Sequence, residues 1–252
     1  MPCAGPPSGS KRMAMSVDVA IIAALEREVR PLVRGWPRRQ IVSGDVTFPA
    51  FTSNRVLVVC SGIGARLARQ AAVAVFDSER PRIIISAGLA GALDPQLKVG
   101  QILHPTTVVD LGTGARFDSG GPDGVLVSAS SVLDRDAKRR ITGSFAGHAV
   151  DMEAAAVALV AGQHECEFMA LKAVSEPADF PMLSFERFID SRGRIRTARL
   201  LAASALRPAT WGTLARLRRN TACASQELCR ALAHLIEKQG AAPQPALSEK
   251  TS

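Results

Sequence analysis

Two short runs rich in β-branched residues, Arg55-Val56-Leu57-Val58-Val59-Cys60 and Arg82-Ile83-Ile84-Ile85-Ser86, each end in a glycine-bearing turn. Between them, residues 65–77 carry Leu67, Ala68, Ala71, Ala72, Val75 and Phe76 at the spacing of a helix with one buried face. The turns are Ser61-Gly62-Ile63-Gly64 after the first run and Ala87-Gly88-Leu89-Ala90-Gly91 after the second. Strand, helix and strand joined this tightly predict a parallel crossover, and parallel strands need helices over both faces. The chain is therefore expected to be α/β, with ligands sitting beyond the carboxyl ends of the strands.

The rest of the sequence fits that class. Residues 17–24 read as a first buried strand, and residues 100–110 as two short strands joined at Pro105. Residues 112–124, dense in glycine, aspartate and proline, read as a loop. Helices are expected over 130–141 and 152–163, a strand over 168–174, and a long amphipathic helix over about 210–238, with Leu214, Leu217, Leu228, Leu232 and Leu235 on related faces. With 252 residues and 47% hydrophobic content, one large core is the default. The formal charge of +8 is carried almost wholly by arginine, and there is no tyrosine. Aromatics at 4% argue against a surface that stacks single-stranded nucleic acid, so no nucleic-acid partner is expected. Five scattered cysteines without a C-x-x-C pair and four isolated histidines give no metal or redox pattern, which suits a reduced cytoplasmic protein. The opening residues lack a signal-peptide pattern and read as a disordered leader, with Met13 or Met15 as alternative starts.

Three acidic residues stand at element ends inside apolar surroundings: Glu28 after the first strand, Glu153 at the head of an alanine-rich helix, and Glu176 after the strand over 168–174. Singly, each is most simply a helix-end contact. Brought together at the mouth of a sheet, carboxylates can act as general acid and general base, because burial and mutual repulsion move their pKa values towards neutrality. The Ser61-Gly62-Ile63-Gly64 turn could present backbone amides to an anion, although Leu67 replaces the last glycine of a dinucleotide fingerprint.

Six segments in order resemble the methylthioadenosine/S-adenosylhomocysteine nucleosidases of the nucleoside phosphorylase superfamily. They are residues 21–29, 61–64, 87–102, Val150-Asp151-Met152-Glu153-Ala154, residues 173–179 and residues 183–188. The resemblance covers about residues 17–190 and implies one α/β domain with a mixed, barrel-like central sheet flanked by helices. It implies hydrolysis of the N-glycosidic bond of a purine nucleoside of adenosine type, without a cofactor. Glu28 matches the glutamate that orients the attacking water. Met152 and Glu153 match the pair that holds the ribose. Ser175 and Glu176 match the Ser-Asp pair whose acid protonates purine N7. Ser61, Gly62 and Gly88 fall in the glycine-rich turns and join the expected substrate-binding set. A cationic sugar in the transition state makes anionic groups near the ribose and an acid near the base chemically sensible.

Four departures from the family stand out. Glu176 replaces an aspartate and is one methylene longer. Leu89 replaces a serine near the water, and Lys172 replaces an arginine. The segment between Val127 and Val150 is shorter, with no match for the phenylalanine that stacks on adenine. The related phosphorylases clamp phosphate with an arginine where this chain has Ser86, which favours water over phosphate as acceptor. Arg27, Arg30 and Arg66 remain as alternative clamps, with phosphate then a co-substrate. A nucleoside-binding protein with little turnover is the reading from outside the enzymes.

Nine arginines between Arg187 and Arg219 are opposed within that stretch only by Asp190. A solvated helix face is the plain account. A sharper one is contact with an anionic membrane surface, making the protein peripheral to the inner membrane face. That would suit a lipid-linked nucleoside such as adenosylhopane, the substrate class of the hopanoid-associated phosphorylases, which this chain resembles in general terms. The expected organisation is a disordered leader over 1–16, a catalytic domain over 17–190, an arginine-rich helical extension over 191–238 packed on it, and a disordered tail over 239–252. By resemblance, a homo-oligomer, commonly a homodimer, completes the nucleoside pocket.

Overall fold

The computed structural model describes residues 16–133, 135–180 and 211–240. The segment 183–188, the first part of the extension and most of the leader and tail lie outside them. Among the described residues, a mixed sheet of eleven strands carries five helices, with helices packed on both of its faces.

The centre of the sheet is β1 (Val19–Ala23), wholly buried, with β4 (Val56–Cys60) and β5 (Ile83–Ala92) parallel on its two sides. The crossover helix α2 (Ala65–Ser78) therefore passes over β1 to join β4 to β5. The alternation of the strand decides which core each residue enters. Val19, Ile21 and Ala23 face α1 (Glu26–Val33) and α5 (Trp211–Lys238), whereas Ala20 and Ile22 face α2 and α4 (Ala154–Gln163).

Two features differ from the sequence reading. First, β5 does not stop at Ser86 but runs to Ala92. Its pairing with β11 (Glu167–Glu176) continues past the end of β1, and β10 (Gly147–Asp151) pairs with its last two residues. The small residues of Ala87-Gly88-Leu89-Ala90-Gly91 look like a turn in sequence, yet they continue this strand, which is buried along both halves except at Leu89. Second, Arg38–Ser43 and Val46–Ser53 form an antiparallel hairpin, β2 and β3, closed at Gly44-Asp45. The strands β8 (Arg116–Asp118) and β9 (Val125–Ser128) were likewise not anticipated. With β6 (Ile102–Leu103) and β7 (Thr107–Asp110), they complete a sheet that stays open, β2 and β8 ending the main path. The mixed central sheet flanked by helices that the resemblance implies is thus observed, as an open rather than barrel-like sheet.

The helix α5 is anchored by a stripe with a spacing of four. Ala224, Leu228, Leu232 and Ile236 are buried in the same core as Val29 and Val33 of α1. Its first half, including Arg216, Arg218 and Arg219, is exposed. The fifth helix, α3 (Arg135–Phe145), packs beside β10 near the carboxyl end of β5.

Candidate active site

The carboxyl end of β5 opens into a cavity of about 180 Å³. Its walls come from the loop after β1 and the start of α1, from the end of β5, from the loop before α3, from α3 itself, from the β10–α4 junction and from the end of β11. Five of the residues singled out in the sequence share it: Glu28, Met152, Glu153, Ser175 and Glu176.

Glu28 is 6% exposed, and its Oε2 is buried without a hydrogen-bond partner among the described residues. Gly88 lies beside it. A Cβ there would lie 3.4 Å from Glu28 Oε2 and 3.7 Å from Lys172 Nζ. Burial pushes the Glu28 carboxyl up from 4.5 to about 7, with the charge of Glu153 adding and Arg27, Lys172 and the Leu25 amide opposing. Glu153 rises to about 7 as well, mainly by burial and then by the nearby Asp151 charge.

The β10–α4 junction explains why Glu153 is available. It stands at the N-cap of α4 but makes no side-chain cap there. Asp151 satisfies the helix instead: its Oδ2 accepts from the Ala154 amide at 2.9 Å and from Lys172 Nζ at 2.8 Å, and its Oδ1 accepts from Ser128 Oγ at 2.5 Å. Lys172 also donates to Ser86 Oγ at 3.1 Å. Both charges of this pair are essentially inaccessible, and the added hydrogen bonds are what make such burial tolerable. Glu153 Oε1 accepts from the Gly64 amide at 2.8 Å, across the sheet at the start of α2. Gly64 adopts φ 102°, a conformation open to glycine.

That contact corrects the reading of the Ser61-Gly62-Ile63-Gly64 turn as an anion cradle. The Ser61 and Gly62 amides donate to the Ala23 and Ala24 carbonyls, extending the β1–β4 ladder, and the Gly64 amide is taken by Glu153. Ser61 and Gly62 do not line the cavity; Ile63 does. Gly88 likewise forms no wall, and lies in contact range of Glu28 behind it.

At the opposite end, Glu176 sits at the last position of β11, with its Oε2 accepting from Ser175 Oγ. Gly91 seats it: a Cβ there would come within 2.6 Å of Glu176 Oε1 and 3.2 Å of Lys138 Nζ. Leu89 gives the cavity an apolar wall, Arg27 stands exposed at its edge, and no aromatic side chain lines it among the described residues. Arg30 and Arg66, the other candidate clamps, are not among its walls.

A family model described as the phosphorylase superfamily matches residues 18–131 and 122–205. The chain belongs to the phosphorylase superfamily. Among its relatives in this superfamily, the 5'-methylthioadenosine/S-adenosylhomocysteine nucleosidase of Bacillus licheniformis is 27% identical over 221 residues, spanning 72% of this chain and 95% of that protein. The nucleosidase of the same description from Neisseria meningitidis, solved with methylthio-immucillin-A, matches the fold with a TM-score of 0.66 at 20% identity, covering 88% of this chain and 99% of that one. A futalosine hydrolase of Helicobacter pylori matches equally, with a TM-score of 0.66 at 16% identity over 89% of this chain and 99% of that one.

One wall residue of this superfamily member escaped the sequence reading. Lys138 is followed by Arg139 and Arg140, and such a run reads as a solvated helix face. In the fold, Lys138 and Ile141 are the residues of α3 turned inward.

Proposed function

We propose that this protein is an N-glycosyl hydrolase that cleaves a purine nucleoside to free base and sugar. The carrying observation is a cavity lined at one end by Glu28, a buried carboxyl held near 7 with one oxygen unpartnered among the described residues, and at the other by a second carboxyl, Glu176. Gly88, beside Glu28, and Gly91, beside Glu176, are three residues apart on β5, roughly 10 Å along the strand.

Glu28 takes a proton from water, whose oxygen bonds to C1′. A base with a pKa near the working pH is best suited to this. The C1′–N9 bond breaks, its electron pair goes to the purine, and the Glu176 proton goes to N7. Glu153 and Met152 hold the ribose, where negative charge favours the cationic sugar. No cofactor takes part. The nucleoside is of adenosine type, as in the nucleosidase relatives.

Arg27 at the cavity edge favours phosphorolysis as the second reading, including that of a lipid-linked adenosine. Base release from methylthioadenosine, S-adenosylhomocysteine, adenosine and inosine, each with and without phosphate, separates the cases. Release without phosphate is expected. A strict phosphate requirement overturns hydrolysis, and no release from any of them favours a binding protein.

We infer further that the protein works in the cytoplasm as a homodimer. Sedimentation velocity at micromolar concentration is expected to show the dimer, and a monomer would remove that part of the reading. No helix of the described residues is long and apolar enough to cross a membrane. Contact with the inner membrane face would run through the exposed Arg218 and Arg219 and the arginines before them. Because residues 224–236 belong to the core, the test is charge reversal rather than deletion. Arg218→Glu/Arg219→Glu is expected to lower co-sedimentation with anionic vesicles, and unchanged pelleting would sink the contact.

A further inference from the structure

We propose that Lys138 is a second catalytic group at the leaving-base end of the cavity, its ammonium stabilising the negative charge the purine acquires as the C1′–N9 bond breaks. This rests on the nucleosidase reading and adds to it.

Two buried lysines face the centre of this molecule, and the fold treats them differently. Lys172 is fully engaged, with Asp151 at 2.8 Å and Ser86 at 3.1 Å. Lys138 is 4% exposed, lines the cavity, and has a buried Nζ without a hydrogen-bond partner among the described residues. An ammonium has three donors and no acceptor, so leaving it dry and unsatisfied is costly unless something else is to occupy that space.

The position indicates what that is. Lys138 Nζ and Glu176 Oε1 lie within 3.2 Å and 2.6 Å of the same point, the place a Cβ on Gly91 would take. The other Glu176 oxygen is held by Ser175. The carboxyl that protonates N7 and the ammonium thus face one small volume. Glu28, Glu153 and Lys138 all line the cavity; on the nucleosidase reading the two carboxyls serve the cationic sugar, and Lys138, beside Glu176, serves the base while it takes up the electron pair of the breaking bond ahead of the proton at N7. After the proton passes to N7, Glu176 is left as a carboxylate, which the same ammonium stabilises. In a dry site a fixed charge of this kind is worth far more than in water. The stretch that supplies Lys138, between β9 and β10, is also the one with no match for the family's base-stacking phenylalanine. Burial weakens the hold of Lys138 on its proton, while Glu176 and Asp179 strengthen it.

The test compares leaving groups. From a nitrophenyl riboside the nitrophenolate departs as a stable anion and needs little help, whereas a purine needs it. For Lys138→Met, the ratio of kcat on the purine nucleoside to kcat on the nitrophenyl riboside is expected to fall about 100-fold, and Lys138→Arg, which keeps the charge, to recover at least a tenth of it. Equal losses on both substrates, or a ratio within twofold of the parent, would overturn the proposal. Parent protein that cleaves the nitrophenyl riboside but no purine nucleoside also overturns it, leaving the sugar-side chemistry standing. Cleavage of neither substrate removes the nucleosidase reading together with it.

Discussion

Glu28 and Gly91 show how much of this site depends on single atoms. With burial holding the Glu28 carboxyl at about 7, kcat/KM is expected to rise with pH through about 7 as the base becomes available. Glu28→Gln should lose that limb and about 10²–10⁴-fold in rate; an unchanged acid limb in the variant would assign it to another group. Gly91→Ala would place a methyl 2.6 Å from Glu176 Oε1. The atom it meets is the far end of a flexible side chain, so the carboxylate moves rather than the strand. Displacement by about 1 Å is expected to lower kcat about 100-fold, with a melting temperature close to the parent's; calorimetry and steady-state kinetics on one preparation check both halves.

At the scale of elements, helix α5 carries the weight of α1. Leu232 is fully buried between them, and Leu232→Ala is expected to cost about 2–5 kcal/mol, measured by urea unfolding. The elements also show what the sequence made readable. The central strands and α2 announce themselves through β-branched runs and a regular apolar face, because both are buried strongly on their inner sides. The continuation of β5 does not, since the lack of a side chain that lets Gly91 lie against Glu176 is also the signature of a turn. The hairpin of β2 and β3 is mostly exposed at its edge and carries little apolar pattern beyond its Gly44-Asp45 turn. Glu28, Glu153 and Glu176 could be found because acidic residues interrupt apolar runs. Lys138 could not, being one basic residue in a run of three, its inward direction set by how α3 packs.

The molecule as a whole keeps acidic chemistry inside and excess positive charge outside. Two carboxylates held near 7 bind protons in the folded state that an unfolded chain, with values near 4.5, would release. Raised values mean stability that is full below about 4.5 and declines as pH climbs through about 7. Glu153→Gln does not titrate, so its stability relative to the parent is expected to improve between pH 5 and pH 8 by about 1–3 kcal/mol; a constant difference across that range would show that Glu153 does not carry the effect. The +8 net charge says little about this interior, because Arg216, Arg218 and Arg219 lie exposed on the half of α5 that precedes its buried stripe. That stripe has one more consequence. Cys229 Sγ donates to the Glu28 carbonyl at 3.3 Å, so the first helix of the chain is fastened by the last one described. During synthesis, domains fold as units while the ribosome is still extending them. Here Glu28 gains that contact only once Cys229 has emerged, so a nascent chain stalled earlier lacks the hydrogen bond by which α5 fastens α1.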